Sequence, residues 1–397
     1  MIPISEAIEI IKRKTFSLQA ETIDLSDSIG RVLAEEICAD MDLPPFNRSQ
    51  MDGFAVRAKD TKDAPVKLKI VGESSAGNGW QGELRKGEAV RIMTGARVPN
   101  GADAVQKVEL TEESEGFITV SETTKLKQNI VNRADEIKKG GKIFERGEII
   151  TENMIAVLAS FGYAKVKVSE RPKVAILATG SEIVDITEKP KQDQIRNSNS
   201  IMLKVFARKY ADVKVLPIVR DEIQNLKSKI QNALEICDVL IISGGVSVGD
   251  YDFTKPALRE LGAEIFFEKV SLKPGKPTVF AKLNNKLIFG LPGNPVSVAV
   301  TFYLFVRTAL LKMQNARDCE LKRGFAIAVG KIKGAKERDS FLPVRIETNS
   351  EGKLMVESLR FSGSSNFIAF SRANALVFVP QGENYAQDSI VNIMYLP

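Results

Sequence analysis

The sequence predicts a multidomain protein in which an α/β domain is flanked by all-β modules, and three observations carry that reading. From Arg171 onward, continuous apolar runs such as Val174-Ala175-Ile176-Leu177 alternate with amphipathic helical stretches, the pattern of a doubly wound parallel sheet. From about Ser49 to Lys138, and again past Arg317, the periodicity shortens to alternating segments between Gly-rich turns, as in β modules. A length of 397 residues, at roughly 150 per domain, accommodates two to four such units.

Taken in order, Ser5 to Lys14 places Ala7, Ile8, Ile10 and Ile11 on helical spacing, with Ser5 as N-cap. A second apolar cluster, Ile29 to Ala39, runs into Pro44-Pro45, which forbid helix continuation and mark a boundary. The β module that follows shows Val66, Leu68 and Ile70, then Phe117 and Thr119, between glycine turns at 77–82 and 95–101. Asn153 to Phe161 reads as a helix, so the opening segment and residues 141–167 pack together around an insertion. The α/β series then runs strand 174–177, helix 200–209, strand 213–218, helix 222–234, strand 239–242, helix 254–261, strand 287–289 and helix 296–311. Five short strands close the chain, at 325–332, 341–346, 354–359, 376–379 and 390–394, as a β-barrel or sandwich. The expected division is 1–47 with 139–170 as a helical linker domain, 48–138 as the β-rich domain, 171–317 as the α/β domain and 318–397 as the C-terminal β domain.

Composition narrows the chemistry. The chain has no histidine, which rules out Ser-His-Asp hydrolysis, HExxH zinc sites and His-ligated haem. Its three cysteines, Cys38, Cys237 and Cys319, are too few and too far apart for a disulfide framework or a CxxC motif, which fits a reducing, cytoplasmic setting. Catalysis must rest on carboxylates, lysines, arginines, hydroxyls, backbone amides and a hard, oxygen-liganded cation. The net charge of +6 is spread without blocks, so anionic small molecules are expected as ligands and nucleic acid is not. Glu6 and Glu9 interrupt the N-terminal apolar residues, unlike a signal peptide, and the apolar run 296–306 is short for a membrane span.

Three loops stand at predicted strand ends. Ser243-Gly244-Gly245-Val246-Ser247-Val248-Gly249-Asp250-Tyr251-Asp252 offers glycine amides and hydroxyls to an anion and two aspartates to Mg²⁺, or it is a tight turn capped by an aspartate. Gly290-Leu291-Pro292-Gly293-Asn294-Pro295 carries helix-start chemistry, with Asn294 as N-cap and Pro295 at the first helical position; capping alone explains it, while its place at a strand end of the same sheet favours a ligand. Lys269, Lys273 and Lys276, in a segment stiffened by prolines, would hold an oxyanion as point charges or form a solvated basic loop. Asp52 and Thr94 fall in turns of the β module and read as structural by themselves.

Read together, six ordered segments resemble one family over essentially the whole chain, the molybdopterin molybdenumtransferases, which include MoeA and the E domain of gephyrin. They are PPFNRSQMDGFAV (44–56), RIMTGARVPNGADAV (91–105), ATGSEIV (178–184), SGGVSVGDYD (243–252), KPGKP (273–277) and LPGNPVS (291–297). The resemblance implies four parts, with the β-rich domain elongated and inserted, and a homodimer whose composite active sites join one chain's β module to the other's pterin pocket. It implies insertion of molybdate into adenylylated molybdopterin with Mg²⁺-dependent release of AMP, the last step of molybdenum cofactor assembly. By the same resemblance Asp52, Thr94, Glu182, Asp221 and Asp250 are catalytic, and Glu182, Asp221, Asp250 and Asp252 hold the cation. Ser243, Gly244, Gly245, Ser247, Gly249, Lys269, Ser271, Lys273, Lys276, Pro292, Asn294 and Pro295 then bind substrate. The upstream adenylyltransferase and acceptor molybdoenzymes are implied as further partners. Asn47 and Phe54 depart from the family's Asp and Tyr, and Ala134-Asp135-Glu136 stands for its Gly-Glu-Asp, which leaves open which acid takes the family role. The alternatives are a molybdopterin adenylyltransferase, which the extra β modules argue against, and a non-catalytic scaffold of the gephyrin type, which the acidic and lysine loops disfavour.

Overall fold

The computed structural model describes residues 1–220, 222–245, 253–359 and 367–397. It divides into two compact units: Met1–Glu35, Arg146–Ile155 and Ala164–Pro397 form one, Glu36–Glu145 and Ala156–Tyr163 the other.

The first unit opens on helix Ile4–Lys14, which buries Ile4, Ala7, Ile8 and Ile11, the stripe visible in the sequence. Ser5 does not cap it. Pro3, in extended conformation, holds the N-cap position and its carbonyl takes the first helical bond from the Ala7 N–H, which puts Ser5 inside the helix. Strand Ala20–Asp24 pairs antiparallel with Lys165–Ser169, Ala20 opposite Ser169. Its polar composition hid it, because Val166 and Val168 of the partner supply the buried side chains.

The centre of this unit is a six-stranded sheet of β1 (Lys173–Ala178), β2 (Asp212–Val215), β3 (Val239–Ser243), β4 (Glu264–Phe267), β5 (Val279–Leu283) and β6 (Lys286–Leu291), in the order β2-β1-β3-β6-β5-β4. The first four in that order are mutually parallel; β5 is antiparallel to both of its neighbours, β6 and β4, so β4 runs in the direction of the first four. The β5–β6 hairpin turns through Asn284-Asn285, both at positive φ, as a two-residue hairpin turn requires. Alternate residues serve opposite faces: Val174, Ile176, Val239, Ile241 and Phe289 join one core, and Ala175, Leu177, Leu240, Ile242 and Ile288 the other. Both faces are covered by helices, Ser198–Ala207 and the helix after β6 on the first, Ile223–Ile236 and Thr254–Glu260 on the second. The helix after β6, Pro295–Met313, has the length and apolarity to cross a membrane, yet 94% of its apolar window is buried in the unit, which makes it the core helix. It is not one regular helix as expected: a π-helical turn, Phe302–Val306, separates Pro295–Thr301 from Arg307–Met313.

The C-terminal strands close into a barrel. Asp339–Thr348 pairs with both Leu354–Ser358 and Ala375–Val379, and Arg323–Ala328 and Ile390–Tyr395 complete the ring around Ala326, Val344, Val356, Val377 and Val391. Closure removes the free edges a sandwich would leave.

The second unit holds a six-stranded sheet in the order Ala104–Lys107, Gly53–Val56, Glu88–Ile92, Val66–Ser74, Phe117–Val120, Thr111–Ser114. One face buries Phe54, Leu68 and Ile118, the other Val90, Ile92 and Val105 against the half-buried Trp80. Trp80 lies against Gly72 and Gly82, where a Cβ would fall within 2.2 and 2.3 Å of its ring.

Candidate functional site

At the carboxyl edge of the central sheet three strand ends are stitched together. The register aligns Ala178 with Ser243 and Ser243 with Leu291, the Thr179 N–H donates to the Ser243 carbonyl at 3.0 Å, and the Gly244 N–H donates to the Leu291 carbonyl at 3.2 Å. Gly244 and Gly245 both take positive φ, and a Cβ on Gly244 would lie 2.3 Å from the Thr179 carbonyl oxygen, so the turn after β3 tolerates no side chain there. Glu182 is exposed just past β1 with its carboxylate over Gly180, where a Cβ would stand 2.7 Å from Oε2. Pro292, Gly293, Asn294 and Pro295 follow β6 directly. Asn294 occupies the N-cap position and Pro295 the first turn, but capping is not done by the Asn294 side chain: the backbone carbonyl of Asn294 accepts from the Val298 N–H. The structure therefore gathers Glu182, Ser243, Gly244, Gly245, Pro292, Asn294 and Pro295 at one sheet edge, where open α/β sheets bind ligands. The expected Asp221, Ser247, Gly249, Asp250 and Asp252 lie outside the described residues. Among the described residues no group of three metal-ligating acids, cysteines or histidines converges.

The lysine segment reaches the same edge because β5 runs antiparallel to β6: Val279 opposes Gly290, so residues just before Val279 stand beside the end of β6. Lys273 and Lys276 are exposed and Lys269 is half-buried. Ser271 is held by its N–H on the Ile2 carbonyl, and the loop is folded on itself by Val270 N–H to the Lys276 carbonyl and Thr278 Oγ1 to the Gly275 carbonyl. Leu272–Lys273 also adds a short parallel pairing to Asp339–Ser340. That pairing brings in Arg338, whose Nη1 donates to the Leu272 carbonyl at 3.2 Å. Arg338 is a fourth cation beside Lys269, Lys273 and Lys276, and the sequence does not disclose it, since nothing in the spacing links residue 338 to residue 273; only the strand pairing does.

Two expected outcomes follow for this loop. Gly275 sits at φ +120°, and a Cβ would meet Thr301 Cγ2 at 2.6 Å and Leu272 Cδ2 at 3.0 Å, both on fully buried residues. Gly275→Ala is therefore expected to destabilise the first unit by about 2–4 kcal/mol, the combined cost of a positive-φ alanine and an overpacked core. A denaturant titration checks it, and an unchanged midpoint contradicts it. Lys273→Ala and Lys276→Ala should each raise the molybdate or pterin concentration needed for half-maximal turnover, with added salt reproducing the defect in the unaltered protein. Unchanged concentration dependence in both variants would make the loop a solvated basic surface.

In the second unit, Gly53 opposes Ile92 across antiparallel strands, which places Asp52 beside Thr94 although 42 residues separate them. Asp52 Oδ1 accepts two hydrogen bonds, from the Thr94 N–H at 2.7 Å and from Thr94 Oγ1 at 2.9 Å, leaving Oδ2 outside this pair of bonds on an exposed side chain. The Thr94 amide first, then its hydroxyl, holds the Asp52 carboxyl below its ordinary value of 3.8. The carboxylate's contribution is thus present above that value and lost only as pH falls below it. Asp52-Gly53 is not merely a turn. Gly53 begins a strand, and a Cβ there would stand 1.9 Å from the Gln106 carbonyl oxygen. Behind it, buried Phe54 lies under the Arg91 guanidinium, 5.0 Å from the ring centroid, and Arg91 pairs with Glu113. Asn47 Oδ1 accepts from the Arg133 N–H at 2.8 Å. Ala134 takes φ +61°, the conformation the family's glycine favours, and Glu136 lies 3.8 Å from Arg48.

Comparison with known proteins agrees with this arrangement along the chain. Residues 2–162 match the MoeA N-terminal region (domain I and II), 175–312 a probable molybdopterin binding domain, and 326–394 the MoeA C-terminal region (domain IV). Relatives called molybdopterin molybdenumtransferase include one from Staphylococcus epidermidis, 34% identical over 99% of this chain and 95% of its own, and one from Staphylococcus aureus, 36% identical over 96% and 92%. The chain belongs to the molybdopterin molybdenumtransferase family. Two crystal structures of the molybdopterin biosynthesis MoeA protein from Pyrococcus horikoshii share its fold over its whole length, with TM-scores of 0.82 and 0.86 at 31% and 30% identity, covering 99% and 100% of those chains. The family's α/β domain with flanking β modules is the fold described above.

Proposed function

We propose that this protein inserts molybdenum into molybdopterin, taking the adenylylated pterin and molybdate as substrates and releasing AMP. The observation that carries the reading is the single sheet edge at which the glycine turn after β3, the turn after β6 and the lysine loop converge. Backbone amides and hydroxyls there suit a phosphate, and Lys273 and Lys276 suit a second oxyanion. Glu182 is exposed at this edge, and the residue types of Glu182, Asp221, Asp250 and Asp252, all carboxylates, are the donor chemistry that a hard divalent cation shared with phosphate would take. Bound there, Mg²⁺ would neutralise charge on the phosphoanhydride as it breaks. The residues of this chain then hold the phosphate at the glycine turn, draw molybdate to the lysines and keep the leaving phosphate oriented by preset charges.

Asp52 and Thr94 complete the site in this reading when a second chain supplies them, so the working form is a homodimer with two composite sites. The four-part division at 47/48, 138/139, 170/171 and 317/318 is part of the same proposal. The free thiols Cys38, Cys237 and Cys319 support a reducing, cytoplasmic setting, and burial pushes Cys237 up to about 11, which makes it inert. The test supplies adenylylated molybdopterin and Mg²⁺ and follows AMP with and without molybdate. Stimulation by molybdate supports the transferase; release indifferent to molybdate removes it.

A further inference from the structure

Asn199 was singled out by no sequence pattern, and the helix it belongs to has no need of it. Helix Ser198–Ala207 is already capped by Asn197, whose Oδ1 accepts from the Ser200 N–H at 3.1 Å. Asparagine within a first turn is otherwise a poor helix residue, so a local reason for it is missing. Its contacts are instead long-range: Nδ2 donates to Ser243 Oγ at 3.1 Å and to the Gly293 carbonyl at 2.7 Å. The carbonyl can only accept, which fixes the orientation of the amide. The opposite end, Oδ1, is buried with no hydrogen-bond partner among the described residues. A buried acceptor left unsatisfied is costly, so the side chain is held in place by its two donor bonds, at the expense of its acceptor. Those bonds span the ends of two adjacent strands, one to the turn after β3 and one to the turn after β6.

We propose that Asn199 is a positioning residue that sets the spacing of the Ser243-Gly244-Gly245 turn against the Pro292-Gly293-Asn294 turn, and through that spacing the affinity for the phosphate-bearing pterin. The inference rests on the functional reading above. By accepting from Asn199, Ser243 Oγ has one lone pair committed and its own O–H left to be directed elsewhere. Without the Asn199 amide the strand ends keep their backbone bonds, Gly244 N–H to the Leu291 carbonyl among them, but lose the side-chain tie between the two turns, which are then free to shift by the few tenths of an ångström that phosphate recognition does not tolerate.

The experiment measures AMP release by wild type, Asn199→Ala, Asn199→Asp, Ser243→Ala and the Asn199→Ala/Ser243→Ala double variant, with thermal melts of each. For Asn199→Ala the KM for adenylylated molybdopterin should rise about tenfold with kcat within about threefold, since the variant removes two charge-neutral hydrogen bonds, each worth about threefold. Asn199→Asp, which sets a carboxylate against the Gly293 carbonyl, should be worse. If Asn199 acts through Ser243, the double variant should be no worse than the product of the singles and measurably better. A lowered melting temperature with unchanged KM, or fully multiplicative KM effects, would overturn the proposal. Should Asn199→Ala not fold, Asn199→Ser, which keeps one donor, must show a KM raised above that of the wild type; a wild-type KM overturns it equally. No AMP release by the wild type would instead remove the functional reading, and this inference with it.

Discussion

Asp52→Ala is expected to cut molybdate-dependent AMP release by a factor of about 100 or more, the loss typical of removing one preset charge from a reaction centre. Among the described residues that carboxylate bonds only to Thr94, twice, and both partners are exposed. Unfolding of the second unit, followed through its only tryptophan, Trp80, should therefore keep its midpoint. Asp52→Asn separates charge from shape, because an amide oxygen still accepts from the Thr94 N–H and hydroxyl. It should be nearly as inactive as the alanine variant. Since the Thr94 bonds hold the Asp52 carboxyl low, no acid limb between pH 5 and 8 should arise from its protonation. Full activity in Asp52→Asn would reduce Asp52 to a turn residue.

The second large effect is a recovery. Asp52→Ala and Asp250→Ala are each expected to silence both sites of their own homodimer. If one chain supplies Asp52 and the other the glycine and lysine loops, a mixed dimer has one site with both lesions and one with neither. Random exchange of two inactive variants should then restore roughly a quarter of wild-type activity, and the purified doubly tagged dimer roughly half. Sites built within one chain would always keep a lesion, and mixing would restore nothing.

What the sequence discloses follows from the range over which its signals act. Val174–Leu177 and Val239–Ile242 announce buried parallel strands through local runs, and the closing strands through alternation, because burial on one or two faces is written in neighbouring residues. Strand Ala20–Asp24 has only Ala20 and Ile23 as apolar residues, neither of them fully buried, and the buried valines belong to its partner. The antiparallel edge of the sheet was missed, though Asn284-Asn285 between two apolar runs is a hairpin signal. The π-helical turn carries no periodic mark among residues that are apolar all round. The proposed site is legible at its glycines and lysines, which sit at strand ends, whereas the Asp52–Thr94 pair, Arg338 and Asn199 are illegible, because their contacts lie 42, 66 and 94 residues away. Only the family resemblance assigns Asp52 and Thr94 a role; spacing reads them as turn residues.

The central claim is that metal insertion and nucleotide cleavage are one event on this protein. Its most direct measurement incubates the wild-type chain with adenylylated molybdopterin, Mg²⁺ and molybdate, separates the pterin, and counts pterin-bound molybdenum against AMP released. The account predicts one molybdenum on the pterin for each AMP. AMP accumulating while the recovered pterin carries no molybdenum would contradict it.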